Sequence, residues 1–337
     1  MNGDEQAIIK FVDDALCNAV HLDASDIHFE IFESDFAIRY RVDGMLRDHA
    51  AVNKDIGGPV MRRLKVLANL NIAEYRLPQD GNFVQRIDGS SVEFRISTLP
   101  TQFGESVVLR VLQSNKNIID IHQLCKSDSV FEKNLEKIMH GRGITLLTGP
   151  TGCGKTTTLY SISNELNRDD IKILTCEDPI EYIVDGISQS SINADIGFSF
   201  DSVLRSFLRH DPDIILVGEI RDRETAELAV RAALTGHTIF STLHANDAVN
   251  AIPRLLDLGV DKNMLAEAVV CIIAQRLVPN DAISQENSRG RRAVFETLMI
   301  SEELKHAIKS SMPTKSILAL AMGQGMVPLS KFFQNSH

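Results

Sequence analysis

The strongest chemical signal in the sequence is a glycine-rich segment that ends in lysine and threonine. Residues 149–156 read GPTGCGKT, which matches the pattern G-x-x-x-x-G-K-[ST] in full. In such a loop the backbone N–H groups point at an anion, and the start of the following helix adds partial positive charge. We expect Lys155 to reach the β- and γ-phosphates of ATP and the Thr156 hydroxyl to ligate Mg²⁺. The alternative is a glycine-rich turn without a ligand.

The flanks of this segment predict the strand and the helix that such a loop needs. Residues 144–148 form a short apolar run with β-branched members, as in a buried parallel strand, and residues 156–166 predict a helix. We therefore assign nucleotide binding to Gly149, Pro150, Thr151, Gly152, Cys153, Gly154, Lys155, Thr156 and Thr157.

A carboxylate follows a second apolar run. Residues 214–217 read IILV and predict a core strand, after which come Gly218 and Glu219. Since ligands of a parallel sheet bind at the carboxyl ends of its strands, Glu219 is a candidate base or metal ligand for the water that attacks the γ-phosphate. Many proteins with this loop have Asp where this chain has Gly218. The alternative is a surface glutamate at a strand end.

Acidic residues also crowd the end of the run at 171–175. Glu177, Asp178 and Glu181 lie within the segment CEDPIE. Crowded carboxylates are stabilised by a bound cation, so Glu177 is a candidate Mg²⁺ ligand. A solvated loop explains the same cluster equally well.

Histidines and arginines flank the predicted strands. His237 and His244 bracket the strand predicted at 238–242, and we favour His244 as a sensor of phosphate or of an interface. Arg209 and Arg221, with Arg205, bracket the strand that precedes Glu219, and an arginine commonly meets the charge that develops during phosphoryl transfer, in cis or from a neighbouring subunit. Surface ion pairing is the alternative for each arginine.

Composition limits the function classes. The chain has 337 residues, and 44% of them are hydrophobic. Its formal charge of −10 argues against a protein that moves along nucleic acid. No apolar run approaches the ~20 residues of a membrane-spanning helix, and no signal peptide is evident, so we expect a cytoplasmic protein that reaches a membrane only through partners. The five cysteines form no C-x-x-C pair and predict neither disulfides nor a zinc site.

The pattern of elements predicts a two-domain chain. Residues 1–112 combine two helices with alternating strands, which favours a small α+β domain with an antiparallel sheet. Residues 113–129 predict a polar linker. From 130 onward strands alternate with helices, as in a parallel α/β sheet, and the chain is expected to become mostly helical over about 276–337.

Taken together, these motifs resemble the secretion ATPase superfamily that powers type II secretion and type IV pilus assembly. The family's phosphate loop matches residues 149–156, and its acidic box matches residues 177–181. Its signature LRHDPDIILVGEIRD spans residues 208–222, and its histidine box ends at residues 241–246. Glycine before the catalytic-type glutamate is normal in this family.

The resemblance implies a RecA-like P-loop ATPase domain after a PAS-like domain, and a homo-hexamer. It implies that Glu181 and Glu219 lie near the attacking water and the metal. It also implies that Arg76 and Arg95 reach the nucleotide, across a subunit boundary, with Arg110 a weaker candidate. An inner-membrane platform protein would be the partner.

Two groups within the family must be separated. Residues 24–30, 39–44 and 76–81 resemble the assembly type, whereas the length resembles the retraction type. Assembly members usually carry a four-cysteine zinc insertion near 278–292, and this chain has no cysteine there, so we expect no zinc. We also expect the N-terminal docking domain of that group to be missing. The alternatives are a retraction motor, a DNA-uptake or conjugation ATPase, and a ring-shaped scaffold that does not hydrolyse ATP.

Overall fold

The computed structural model of the chain describes residues 3–42, 44–113, 118–126, 128–193, 196–279 and 291–333. The chain divides into two compact units, Met1–Lys116 and Asn117–His337. Each unit has its own hydrophobic core, and each is described by itself.

The first unit is a six-stranded antiparallel sheet with two helices. Its elements are α1 (Gly3–His21), β1 (Asp26–Ile31), β2 (Asp35–Val42), β3 (Met45–Asn53), α2 (Gly57–Leu67), β4 (Gln79–Ile87), β5 (Ser90–Thr101) and β6 (Gly104–Gln113). The strand order is β3-β2-β1-β6-β5-β4. Asp88 and Gly89, both with positive φ, form the tight turn between β4 and β5.

Alternation along the strands separates a buried face from a polar face. Ile27 and Phe29 of β1 are fully buried in one core with Leu16 of α1 and Leu64 of α2. The predicted strands at 92–96 and 107–111 are confirmed as parts of β5 and β6. The edge strand β4 was not expected, because its sequence QDGNFVQRI has only a weak apolar pattern.

The second unit is built on a seven-stranded sheet. Its strands are β7 (Gly143–Thr148), β8 (Ile173–Glu177), β9 (Ser188–Ser191), β10 (Ile214–Val217), β11 (Thr238–Leu243), β12 (Val269–Pro279) and β13 (Arg291–Met299). The order is β13-β12-β7-β11-β10-β8-β9, and only β13 runs antiparallel to its neighbour among these strands. The predicted core strands near 144, 171, 214 and 238 are confirmed as β7, β8, β10 and β11.

Helices cover both faces of this sheet. They are α3 (Ile121–Cys125), α4 (Ser129–His140), α5 (Lys155–Leu166), α6 (Phe200–Phe207), α7 (Arg223–Leu234), α8 (Ala251–Asp257), α9 (Lys262–Ala268), α10 (Glu302–Lys309), α11 (Thr314–Gly323) and α12 (Ser330–Phe333). Ile215 and Val217 of β10 pack in a core with α6 and α7, whereas Ile214 and Leu216 pack in the opposite core with α4 and α5. The period-two alternation of a strand thus divides the core into two layers.

The structure differs from the sequence-based expectation in two segments. The predicted linker at 113–129 contains α3, whose Ile121 and Cys125 are fully buried, and Asp128 caps the start of α4; residues 114–117 and 127 lie outside the description. The region expected to be helical from about 276 includes the end of β12 and all of β13. The β-branched run 269–273 forms a strand because it pairs with β7 in the sheet centre.

Among the helices that the structure describes, none combines the length and the apolar character needed to cross a bilayer.

Candidate active site

The glycine-rich segment forms a loop between β7 and α5. All of β7 is buried, and Gly154 precedes α5 in the left-handed conformation with φ +89°. A Cβ atom at Gly154 would lie 2.9 Å from the Gln275 side-chain nitrogen, and one at Gly149 would lie 2.6 Å from the Gln275 carbonyl oxygen. The backbone of β12 therefore requires glycine at position 149, and the left-handed φ favours glycine at position 154. On the other side, a Cβ atom at Gly152 would meet open space, so the loop keeps an accessible face.

Lys155 is held over this loop by backbone carbonyl groups. Its Nζ donates to Gly149 O at 2.8 Å and to Pro150 O at 3.0 Å. Burial lowers the pKa of Lys155 from its ordinary value, and the negative charge of Glu219 opposes that shift. Lys155 begins α5 directly after the loop and Glu219 follows β10, so both lie at the carboxyl ends of parallel strands.

Gln275 fastens the loop to the sheet, and the sequence reasoning missed it. Its Nε2 donates to Cys153 O at 2.9 Å, and its Oε1 accepts from Thr158 Oγ1 at 2.9 Å. The side chain is 1% exposed. A single amide within the apolar run of β12 was the available signal, since a buried polar side chain must find partners.

Glu219 lies at the carboxyl end of β10 between the side chains of an arginine and a histidine. Arg221 Nη2 contacts Glu219 Oε1, and His244 Nε2 lies 3.5 Å from Glu219 Oε2. Arg221 Nη1 is also 3.6 Å from Asp178 Oδ2. The hydrogen bond that Arg221 donates to Glu219 raises the pKa of Arg221 further above its usual range. The structure therefore brings together Glu219, Arg221 and His244.

Threonine hydroxyls connect the strand ends that carry these side chains. Thr242 Oγ1 donates to Gly218 O at 2.7 Å, which joins β11 to the residue before Glu219. Thr148 Oγ1 donates to Ala245 O at 2.9 Å and accepts from Ala245 N at 2.8 Å. Thr148 thus fixes the start of the phosphate loop to the residue after His244.

Glu177 is buried in a hydrogen-bond network, whereas the sequence analysis predicts that it ligates Mg²⁺. Its Oε2 accepts from Tyr160 Oη, and its Oε1 accepts from Thr175 Oγ1 at 2.6 Å and from Gln189 Nε2 at 3.2 Å. Only 4% of Glu177 is exposed. Because both carboxylate oxygens already have protein donors, Glu177 is better described as a structural anchor than as an open metal ligand.

Glu181 lies on the loop after Glu177. It is half-buried, and its backbone N–H is 3.4 Å from Tyr160 Oη. Within the described part of the chain, side chains of metal-ligand type group within 4.8 Å in two other places, Cys17 with His21 and Asp88, and Asp120 with His122 and Glu165. Neither group includes Glu181, Glu219 or the exposed Thr156.

Arg209 lies at the opposite edge of the sheet from Glu219. Its guanidinium group donates to Arg205 O at 2.9 Å and to Ser206 Oγ at 3.3 Å, beside the amino end of β10. The expected role of Arg209 at Glu219 within one chain is therefore not supported, because a four-residue strand separates the two positions. His237 also lies at the amino edge, where its Nδ1 donates to Ala232 O at 3.1 Å.

The arginines assigned by resemblance lie in the first unit. Arg76 is in an exposed loop and pairs with Glu74 at 2.9 Å. The bond from Arg76 holds the pKa of Glu74 at about 2. Arg95 of β5 is opposite Arg110 of β6 in the strand register, and Arg110 pairs with Asp26 at 3.3 Å. Arg95 and Arg110 are therefore cross-strand neighbours, and Asp26 offsets the charge of Arg110.

Comparison with known proteins decides the family. The model of the family described as "Type II/IV secretion system protein" matches residues 1–331. The chain belongs to this family. The predicted resemblance to secretion ATPases is thereby confirmed.

Individual members of the type II/IV secretion family are similar over most of this chain. Type II secretion system protein E of Xanthomonas campestris pv. campestris is 46% identical over 274 residues, covering 81% of this chain and 48% of that protein. Type II secretion system ATPase E of Vibrio cholerae serotype O1 is 44% identical over 298 residues, covering 87% and 59%. The chain spans about half the length of these relatives.

A solved structure supports the fold. The pilus retraction motor PilT, crystallised with ADP, is 28% identical with a TM-score of 0.70, over 93% of each chain. The mixed α/β sheet and this likeness confirm the predicted RecA-like fold. Assembly members usually carry the zinc insertion near 278–292, and we expect none in this chain. Most of that stretch, residues 280–290, lies outside the described residues.

Proposed function

We propose that the protein is an ATPase motor that converts ATP hydrolysis into domain motion for type II secretion or type IV pilus assembly. The observation that carries this proposal is the position of Glu219. It follows a parallel strand at the same sheet edge as the phosphate loop, and its charge acts on Lys155. A base that faces a phosphate-binding cation is the arrangement that hydrolysis of a triphosphate requires.

Each side chain at this edge has a chemical task in the proposal. Lys155 binds the β- and γ-phosphates, for which the accessible face around Gly152 leaves room. Glu219 orients the attacking water and accepts its proton, and Glu181 assists from the neighbouring loop. Arg221 and His244 contact Glu219 and supply positive charge as the γ-phosphate departs.

The residues of the loop also fit a magnesium cofactor. Thr156 is exposed in the first turn of α5, and Glu219 follows β10 at the same edge of the sheet. Thr156 and Glu219 would hold Mg²⁺, which would neutralise phosphate charge when bound.

Arg76 and Arg95 are proposed to complete the site from a neighbouring subunit of a hexamer. Their support is the family resemblance, together with the exposure of Arg76 and the position of Arg95 opposite Arg110 in the first unit. Mixing Arg95→Ala protein with Lys155→Ala protein should restore part of the turnover that each variant lacks. Arg86→Ala, on the edge strand β4, is the matched control and should be active alone. Failure of rescue at every mixing ratio excludes action in trans.

The proposed location is the cytoplasmic face of the inner membrane, reached through a platform protein. The motion would turn or lift that protein so that pilin-like subunits enter a fibre. A retraction motor is the second candidate, supported by the likeness to PilT. Deletion in the host distinguishes them, because loss of fibres or secretion indicates assembly and excess fibres indicate retraction.

Phosphate release from ATP by the purified chain tests the proposal directly. Turnover should require Mg²⁺ and should not respond to added DNA, since the net charge is −10. Absence of phosphate release under all conditions would exclude hydrolysis, and strong stimulation by DNA would favour a DNA-uptake ATPase instead.

A further inference from the structure

A buried tyrosine links the phosphate-loop helix to the loop that carries Glu181. Tyr160 lies in α5 one turn after Thr156 and is 4% exposed. Its Oη donates to Glu177 Oε2 and is approached by three N–H groups. These are the backbone N–H groups of Glu181 and Tyr182, each at 3.4 Å, and Gln189 Nε2 at 3.3 Å.

The same loop is held from its other side by Gln189 of β9. Gln189 Nε2 donates to Tyr182 O at 2.9 Å, and its Oε1 accepts from Val184 N at 2.8 Å. The Tyr182 ring packs edge-on against the Tyr160 ring with centroids 5.1 Å apart. The backbone on both sides of Glu181 is therefore fixed to two side chains, and one of them belongs to the helix that begins at Lys155.

We propose that Tyr160 is a positioning residue that sets the location of Glu181 relative to the phosphate loop. The inference rests on the proposed ATPase function and concerns how Glu181 is positioned within that site. Because α5 starts in the loop, any shift of Lys155 is passed through a rigid helix turn to Tyr160 and from there to the Glu181 backbone. Glu177 serves this linkage as the acceptor that orients the Tyr160 hydroxyl.

The chemistry of the hydroxyl fits this role. Burial raises the pKa of Tyr160, and the neighbouring Glu177 carboxylate raises it further, so the group stays protonated and donates to Glu177. A hydroxyl has one donor and two acceptor sites, and all of them face partners here. Phenylalanine at position 160 would keep the ring packing and would remove only the hydroxyl and its hydrogen bonds.

Tyr160→Phe should separate catalysis from binding. We expect kcat to fall by about tenfold or more, because small displacements of reacting groups are costly, while the Kd of a non-hydrolysable ATP analogue changes less than about twofold. Tyr40→Phe is the matched control. Its buried Oη donates only to Ala15 O at 2.9 Å in the first unit, so kcat should stay at the wild-type value.

A double-mutant cycle with Glu181→Gln identifies the residue through which Tyr160 acts. If Tyr160 positions Glu181, the Tyr160→Phe change should add little to the kcat loss of Glu181→Gln. The proposal would be overturned if the two changes lowered kcat independently, so that their fold losses multiply. A wild-type kcat for Tyr160→Phe or for Glu181→Gln would also overturn it. A purely structural role would lower thermal stability and analogue binding together and leave the losses independent.

Gln189→Met provides a second route if Tyr160→Phe folds poorly. It removes the hydrogen bonds of the amide group to Tyr182, Val184, Glu177 and the Tyr160 hydroxyl, and it leaves the Tyr160 side chain itself unchanged. The same fall in kcat with retained analogue binding is expected, and unchanged kcat contradicts the linkage. Failure of the proposed function looks different, because the wild-type protein would then release no phosphate.

Discussion

The two edges of the large sheet carry similar residue types in different surroundings. At the carboxyl edge, Glu219 contacts Arg221 and His244, and Lys155 begins α5 after the phosphate loop. At the amino edge, His237 bonds to a helix carbonyl group, and an open cavity of about 330 Å³ lies between His237, Asp213 and Arg168. Both edges offer cations, but the glycine loop and Glu219, the proposed base, lie at the carboxyl edge.

The contrast shows how one sequence motif can be divided by a strand. The signature at 208–222 places Arg209 before β10 and Arg221 after it. Four residues of extended chain span about 13 Å at 3.3 Å per residue, so Arg209 and Arg221 of one chain lie at opposite ends of β10. Nearness in sequence is therefore a poor guide to nearness in space when a strand intervenes.

Removal of the loop lysine should have the largest effect of any single change at the carboxyl edge. Lys155→Ala loses the cation that meets the β- and γ-phosphates, and kcat/KM should fall by about 10³ or more. The fold should persist, because the side chain bonds only to Gly149 and Pro150 carbonyl groups. Phosphate release and thermal unfolding measure the two quantities.

Lys172→Ala is the control for the amino edge. Lys172 Nζ contacts His210 O there, and its loss should change kcat by less than about twofold. A fully active Lys155→Ala protein would mean that the loop does not bind the reacting phosphates.

Glu219→Gln should have the next largest effect. The amide keeps the size of the side chain but cannot accept a proton, and loss of a general base typically lowers kcat by about 10²–10⁴. ATP binding should persist, as measured with a fluorescent analogue. Glu224→Gln, the same change on an exposed position of α7, should remain active. Parallel loss of binding and turnover would mean that Glu219 acts by holding Mg²⁺ or the fold and not as the base.

Much of this site was predictable because it depends on local pattern. The strand–loop–helix around Lys155, the strand before Glu219 and the proximity of His244 all follow from apolar runs and the rule that ligands bind at carboxyl ends. Gln275 and Tyr160 were missed since their roles arise from partners distant in sequence, Cys153 for one and Glu181 for the other. The same cause hid β12, whose pairing with β7 is long-range.

Substitution of Arg209 and of Arg221 tests whether β10 separates the two arginines in function. Arg221→Ala removes the cation on Glu219 and should lower kcat about tenfold, in line with the loss of a charge-assisted contact. Arg209→Ala removes only bonds to its own helix and should stay within about twofold of wild type. The reverse order would mean that the amino edge of one subunit reaches the site of another, which mixing with Lys155→Ala protein would reveal.

The histidine pair should give the smallest effect and the finest test of the comparison. His244 lies 3.5 Å from Glu219 Oε2 but is 54% exposed, so water can replace part of its contact. His244→Ala should lower kcat by about threefold to tenfold with little change in thermal stability. His237→Ala removes a bond to Ala232 O and should lower stability instead, with kcat per folded molecule unchanged. Equal kcat losses for the two variants would contradict the separation of the edges, because then position relative to Glu219 would not determine what a histidine does.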